Sequence, residues 1–245
     1  MSCAPVTAAG AAADAALVLT CEHASAAVPA EYANLGLPAA RLGEHIAWDI
    51  GAAAVTAALA SILGAPAVLS GASRLLVDCN RDTTDADLIP PVSHGVAIPG
   101  NAGVDAAERA ARLARFYVPY HTAVDAELAR HPRALLLSLH SFTPSLNGQP
   151  RAFDAGVLFD AFDPLAERLA HGVAAAGFAV RMNEPYSGLD GLIFSARSHG
   201  RRHGLCYLEL EINNALLRSE AAARAVAQRL APAVAAVAAA ARQHT

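Results

Sequence analysis

Glu209 and Glu211 stand two residues apart in the apolar run "CYLELEI" (206–212), where alternate residues of an extended chain share one face. A carboxylate in such a run must be paired, bound to a metal or shifted in pKa. The run "ALLLSLH" (134–140) ends on His140 and Ser141, so an imidazole also closes an apolar segment. It is either a core histidine satisfied by hydrogen bonds or part of a site. Two further clusters follow short apolar runs: Glu22 and His23 in "CEHAS", and Asp78, Asn80 and Arg81 in "VDCNRD". Two histidines, several carboxylates and an Asn-Arg pair are the parts of a metal hydrolase. Catalytic zinc takes three His and Asp/Glu ligands and lowers the pKa of a bound water to roughly 7. An adjacent carboxylate then serves as general base, and an arginine holds an anionic substrate by a two-pronged bond.

Positioning these groups requires a frame, and the chain alternates short apolar runs with longer amphipathic stretches. This is the pattern of a largely parallel sheet with helical crossovers. Strands are expected at 16–20, 65–70, 74–78, 134–140, 154–160, 179–183 and 206–212, and helices at 48–63, 105–131, 163–177 and along the C-terminal segment. Pro119 should kink or break the second helix. Segments 88–104 and 143–151, rich in Pro, Gly and Asn, read as loops. The polar clusters then fall beyond the C-terminal ends of strands, where open α/β sheets bind ligands.

The 245 residues, 54% of them hydrophobic, fit one α/β domain spanning 1–245. All 18 basic residues are arginine and the net charge is −4, with no basic stripe to suit nucleic acid. The absence of lysine excludes Schiff-base chemistry and a Walker-type phosphate loop. Four widely spaced cysteines (Cys3, Cys21, Cys79, Cys206) and a start without basic residues suggest reduced thiols and a cytoplasmic location. The alanine-rich end, interrupted by Arg229 and Pro232, reads as a surface helix rather than a membrane span.

From about residue 17 to 217 the sequence resembles the N-formylglutamate amidohydrolases. The resemblance is carried in order by "TCEHASAAVP", "HIAWDIGA", "SRLLVDCNRD", "IPGN", "FYVPYHTAVDAEL", "LSLHSFTP", "NEPYSG" and "LELEINNALL". It implies a three-layer αβα fold with a mixed, mostly parallel central sheet, akin to the zinc carboxypeptidases and aspartoacylases. It also implies cleavage of the formyl amide of an acidic N-formyl amino acid, N-formyl-L-glutamate first, to formate and the free amino acid. A place in histidine breakdown follows only from the family's name.

The likeness to zinc carboxypeptidases implies one Zn2+ with His23 and His140 as ligands, Asp78 orienting His23, and Asn80 with Arg81 holding the substrate carboxylate. The wider group spaces its first histidine and acidic ligand as H-x-x-E, whereas Ala26 stands at that position here. Asp49 is then the implied third ligand after an inserted loop (24–44), with Glu22 as its rival. Neighbours on a strand point to opposite faces, which sets Glu22 against sharing an ion with His23. Asp49 has a plain alternative as a helix N-cap. Glu211 is the implied general base, with Glu209 as partner or rival. Both have a structural alternative as strand carboxylates paired with Arg74 or Arg81.

Arg74 either neutralises a substrate carboxylate or pairs with Asp78. Tyr186 resembles the mobile tyrosine of the carboxypeptidases, and Arg151 and Asn101 are expected on the pocket rim. His121 is read as a satisfied helix histidine or a substrate contact. His94, His131, His171, His199, His203 and His244 are read as solvated or structural, with His199 and His203 flanking a basic loop that could touch an anion. Zinc could give way to iron, manganese or cobalt on this ligand set. The expected partner is a small anionic substrate, with neither nucleic acid nor membrane; oligomeric state is not legible. Rival readings are a zinc deacylase for another N-acyl amino acid and a metal-free small-molecule binder. A Ser141 hydrolase is a third, which no G-x-S-x-G turn supports.

Overall fold

The computed structural model describes residues 3–8, 14–146 and 148–244. Residues 1–2 and 9–13, Asn147 of the 143–151 loop and Thr245 lie outside the described residues. Seven strands form one sheet: β1 Val6–Ala8, β2 Leu17–Cys21, β3 Ala67–Leu69, β4 Leu135–Phe142, β5 Ala155–Leu158, β6 Val180–Met182 and β7 Tyr207–Asn213. Their spatial order is β1-β3-β2-β4-β7-β5-β6. The central β3, β2, β4 and β7 run parallel, β5 and β6 run together against them, and β1 caps the other edge antiparallel.

Six helices flank the sheet: α1 Ala52–Leu63, α2 Ala106–Arg112, α3 Val118–Arg130, α4 Asp163–Ala175, α5 Phe194–His203 and α6 Glu220–Ala241. Leu135, Leu137, Leu139, Leu208, Leu210 and Ile212 point to a layer made by α1, α4 and α6. Val18, Leu136 and Tyr207 face the opposite way, towards α3 and α5. On that second face the apolar residues give way, two positions at a time, to Ser138 and His140 on β4 and to Glu209 and Glu211 on β7. The period of two therefore explains why a nearly continuous apolar run carries polar groups at one end.

Four expectations are corrected. Residues 74–78 are not a strand. Their apolar side chains are buried, but Leu76 N bonds Ser73 O in a turn and Asp78 N bonds Leu88 O, so the segment packs as coil. A short apolar run specifies burial without specifying extension. The helix expected from 48 starts at Ala52 behind Gly51 in the left-handed region, so Asp49 is not its N-cap. The 105–131 helix is helical throughout 106–130 and does not break, but it passes through a π turn at Leu113–Tyr117 just before Pro119. The C-terminal helix does not merely lie on the surface, because ten of its residues, among them Val226, Leu230, Val234 and Val237, are buried against α1 and α4. No described helix is long and apolar enough to cross a membrane.

Candidate active site

β2 delivers the first pair of functional groups. In the turn just past the strand end, Glu22 meets Tyr120 of α3 and Ser138 of β4, while His23 reaches Asp49 and Asp78. The backbone N–H of Asp49 bonds His23 O at 2.9 Å, which brings the segment before α1 alongside. Asp49 Oδ2 thereby lies 3.4 Å from His23 Nδ1 and 2.8 Å from His140 Nδ1. The three expected ligands thus converge, and all three are buried.

Each histidine is gripped from behind by its other nitrogen. His23 Nε2 lies 2.7 Å from Asp78 Oδ1, and His140 Nε2 lies 2.9 Å from Glu22 Oε2. Asp78 and Glu22 are acceptors when ionised, so both Nε2 atoms donate and both Nδ1 atoms face Asp49. Arg74 donates through Nε and Nη2 to Asp78 Oδ2 at 3.1 and 2.7 Å, and its Nη1 lies 3.6 Å from Asp49. Tyr120 Oη donates to Glu22 Oε1 at 2.7 Å, and Ser138 Oγ donates to Glu22 Oε2. Glu22 therefore lies against the His140 nitrogen turned away from Asp49, outside the group that His23, Asp49 and His140 form.

The electrostatics follow from burial and these partners. Burial alone would raise Glu22, Asp49 and Asp78, but His140 at Glu22, His23 and His140 at Asp49, and Arg74 and His23 at Asp78 hold all three carboxyls below the usual range. Burial likewise would lower His140, yet Glu209, Asp49 and Glu22 push it well above 6.5. Glu209 moves the other way: burial raises it to about 7 against the pull of His140. Burial also raises Glu211 well above the carboxylate range, with His140 opposing and Asp49 and Glu209 adding. The Oε2 atoms of both glutamates are buried without a hydrogen-bond partner, as is His23 Nδ1.

A cation fits between His23 Nδ1, Asp49 and His140 Nδ1. His23 Nδ1 offers an orphaned lone pair towards a carboxylate, and His140 can hold Nδ1 against Asp49 only by carrying an extra proton there or a cation in its place. The carboxylates on both Nε2 atoms are the outer partners that metal-binding imidazoles characteristically have.

Around this centre is a cleft of about 230 Å³, lined also by His45, Arg74, Asn80, Arg81, His94, Phe142, Tyr186 and Leu192. Asn80 is less free than expected. Its Nδ2 donates to Leu192 O at 3.2 Å and its Oδ1 accepts from Ser195 N at 2.9 Å, tying the loop to the start of α5. Arg81 is looser, with Nε 3.8 Å from Asp85 and Nη1 donating to its neighbour's carbonyl. Arg151 stands over the Tyr186 and Phe142 rings at 5.3 and 5.6 Å and supports the wall rather than lining it. Burial, with Glu211 adding, raises the Tyr186 phenol.

Other expectations are redirected. Asn101 is buried off the cleft, donating to Leu75 O and Pro90 O and accepting from Arg112, so it is not a rim residue. His199 and His203 lie on α5 rather than beside a basic loop, and Arg201 and Arg202 are paired with Asp160 and Asp125. His131 accepts from Ala15 N at 3.0 Å in a structural role. Ser141 Oγ donates to Ile50 O at 2.9 Å, a structural hydroxyl. His94, read as solvated or structural, instead lines the cleft with His45, their rings 4.9 Å apart. Burial lowers both imidazoles, with Glu44 opposing at His45 and His45 adding at His94. Sequence reasoning gave His45 no role, although its place four residues before Asp49 was a usable signal.

Known proteins resemble this chain in sequence and in fold. The sequence model of the N-formylglutamate amidohydrolase family matches residues 15–218. A gene product of Agrobacterium tumefaciens of known crystal structure is 36% identical, with a TM-score of 0.91 over 97% of this chain and 95% of that one. The crystal structure of an N-formylglutamate amidohydrolase from Ralstonia eutropha JMP134 shares the fold at 18% identity, with a TM-score of 0.70 over 99% of this chain and 100% of that one. No curated protein sequence matched. With the family model matching from before β2 to beyond β7, the chain belongs to the N-formylglutamate amidohydrolase family.

Proposed function

We propose that this cleft hydrolyses the formyl amide of a small acidic N-formyl amino acid, with N-formyl-L-glutamate as the first candidate, in a metal-dependent reaction. The observation that carries the reading is the convergence of His23 Nδ1, Asp49 and His140 Nδ1 beside two buried glutamates, Glu209 and Glu211. A divalent cation held by these three residues, zinc being the natural choice, would polarise the amide oxygen and lower the pKa of a water.

The chain's own residues supply the rest. Glu211, held ionised by the charge of a bound cation against the effect of its burial, takes the proton of the attacking water and passes it to the leaving nitrogen. Glu209 lies 3.6 Å from His140 Nε2, the nitrogen turned away from Asp49, and so stands behind the imidazole. Arg81 holds the substrate's α-carboxylate. Arg74 spends its charge on Asp78 and Asp49 and keeps the first histidine in place. His45 and His94, neutral at pH 7, offer ring N–H groups to a side-chain carboxylate, and Tyr186 offers a phenol from the opposite wall.

Release of the free amino acid from N-formyl-L-glutamate, N-formyl-L-leucine and N-acetyl-L-glutamate, with formate or acetate as the co-product, measured before and after dialysis against a chelator, tests this reading. Chelator-sensitive release fastest from the formylated acidic amino acid supports it. Preference for the acetyl compound would make the protein a deacylase, and turnover undiminished in metal-free protein would remove the metal role of His23, Asp49 and His140.

A further inference from the structure

A second group of metal-ligating side chains lies outside the cleft, where α5 packs on α3. His199 and His203 stand one turn apart on α5, and Asp125 reaches them from α3. Asp125 Oδ1 lies 2.7 Å from His199 Nδ1 and 2.9 Å from His203 Nε2, and one ligand atom from each residue falls within 4.8 Å of the others. None of the three lines the cleft.

We propose that Asp125, His199 and His203 form a second site for a divalent transition ion of the zinc, nickel or copper class, which suits two imidazoles and one carboxylate. Three features of the surroundings support an ion here. Histidines at i and i+4 on a helix present their rings side by side, so two ligands are preset by α5 alone. His199 is 2% exposed, whereas His203 and Asp125 are 20% and 30% exposed, which gives a rigid inner ligand and an open outer edge for entry. Outer partners are also in place: His121 Nδ1 lies 2.7 Å from His199 Nε2, and Arg202 Nη1 donates to Asp125 Oδ2 at 2.7 Å.

The proton balance closes within the cluster. Without an ion, Asp125 accepts the N–H groups of His199 Nδ1 and His203 Nε2. With an ion on those nitrogens, each neutral ring carries its proton on the other nitrogen, and His121 Nδ1 is placed to accept that of His199. The ion would clip α5 to α3. These helices also serve the cleft, since Ser195 on α5 bonds Asn80 and Tyr120 on α3 bonds Glu22.

Untagged, chelator-treated protein titrated with Zn2+ by calorimetry tests the proposal, with Co2+ absorption as a second readout. The parent is expected to take two equivalents, and His203→Ala and Asp125→Asn one each, with formate release from His203→Ala at the parent rate. His140→Ala separates the sites: it too should take one equivalent, which disappears in the His140→Ala/His203→Ala chain. A parent stoichiometry of one that His203→Ala leaves unchanged would overturn the proposal and reduce the cluster to a hydrogen-bonded clamp. So would two equivalents that survive both α3 and α5 substitutions.

Discussion

Glu211 lies directly opposite His140 in the parallel pairing of β7 with β4, and Glu209 lies opposite Ser138 one step earlier. The register places both carboxylates on the face that carries the imidazole, with Glu209 on the strand side of the ring. It also leaves the Oε2 of each glutamate buried without a hydrogen-bond donor.

Glu211→Gln should lower formate release by about 10²- to 10⁴-fold, the usual range for losing a general base, while metal content stays at the parent level. Glu209→Gln should cost less. Steady-state rates with elemental analysis of both variants check the assignment, and the reverse order of effects would give the base role to Glu209.

Glu22→Gln should weaken metal binding by about 10- to 100-fold, because the amide orients His140 less firmly and makes it a poorer donor than a carboxylate does. Asp78→Asn should act in the same way on His23. Competition with a coloured chelator measures this, and parent-like affinity in both variants would leave these carboxylates with a folding role alone.

Arg81→Ala should raise KM for an acidic substrate by at least tenfold with kcat little changed, the signature of lost uniform binding. Arg74→Ala should behave differently. Removing the partner of the buried Asp78 should cost about 3 kcal/mol of stability, visible in urea unfolding before any assay is run.

The pH dependence of folding has a readable sign at His121. Burial, with His199 adding, pushes this imidazole down to about 3, so the unfolded chain takes up a proton near 6.5 that the folded chain refuses. Stability is thus unaffected above pH 6.5 and falls as pH drops from 6.5 towards 3. His121→Gln should show a shallower acid limb in urea midpoints between pH 7 and 4, and an unchanged limb would place the acid sensitivity elsewhere.

Much of the site was legible because its chemistry sits on strands of strict period two. "LLLSLHS" and "LELE" announce which residues share a face, and burial of a polar residue at such a position calls for a partner. Segment 74–78 was misread for a related reason: Leu75, Leu76 and Val77 are as buried as any strand residue but are held by turn bonds from Ser73 and by the 88–90 segment. Local composition records burial and cannot distinguish a strand from packed coil when no neighbouring strand is in view.

The sequence by itself determined the α/β class, the alternation that turns His140, Glu209 and Glu211 to one side, and the family to which the ordered motifs belong. Asp49 beside His23 and His140, and Asp78 behind His23, were implied by resemblance alone; tertiary structure brought them together and decided that Glu22 grips the His140 ring from behind, that His45 and His94 wall the cleft, and that Asp125 meets His199 and His203. The physical reason is range. Strand periodicity acts over two residues and is written locally, whereas these meetings join positions tens of residues apart and depend on how loops of irregular backbone pack against the sheet.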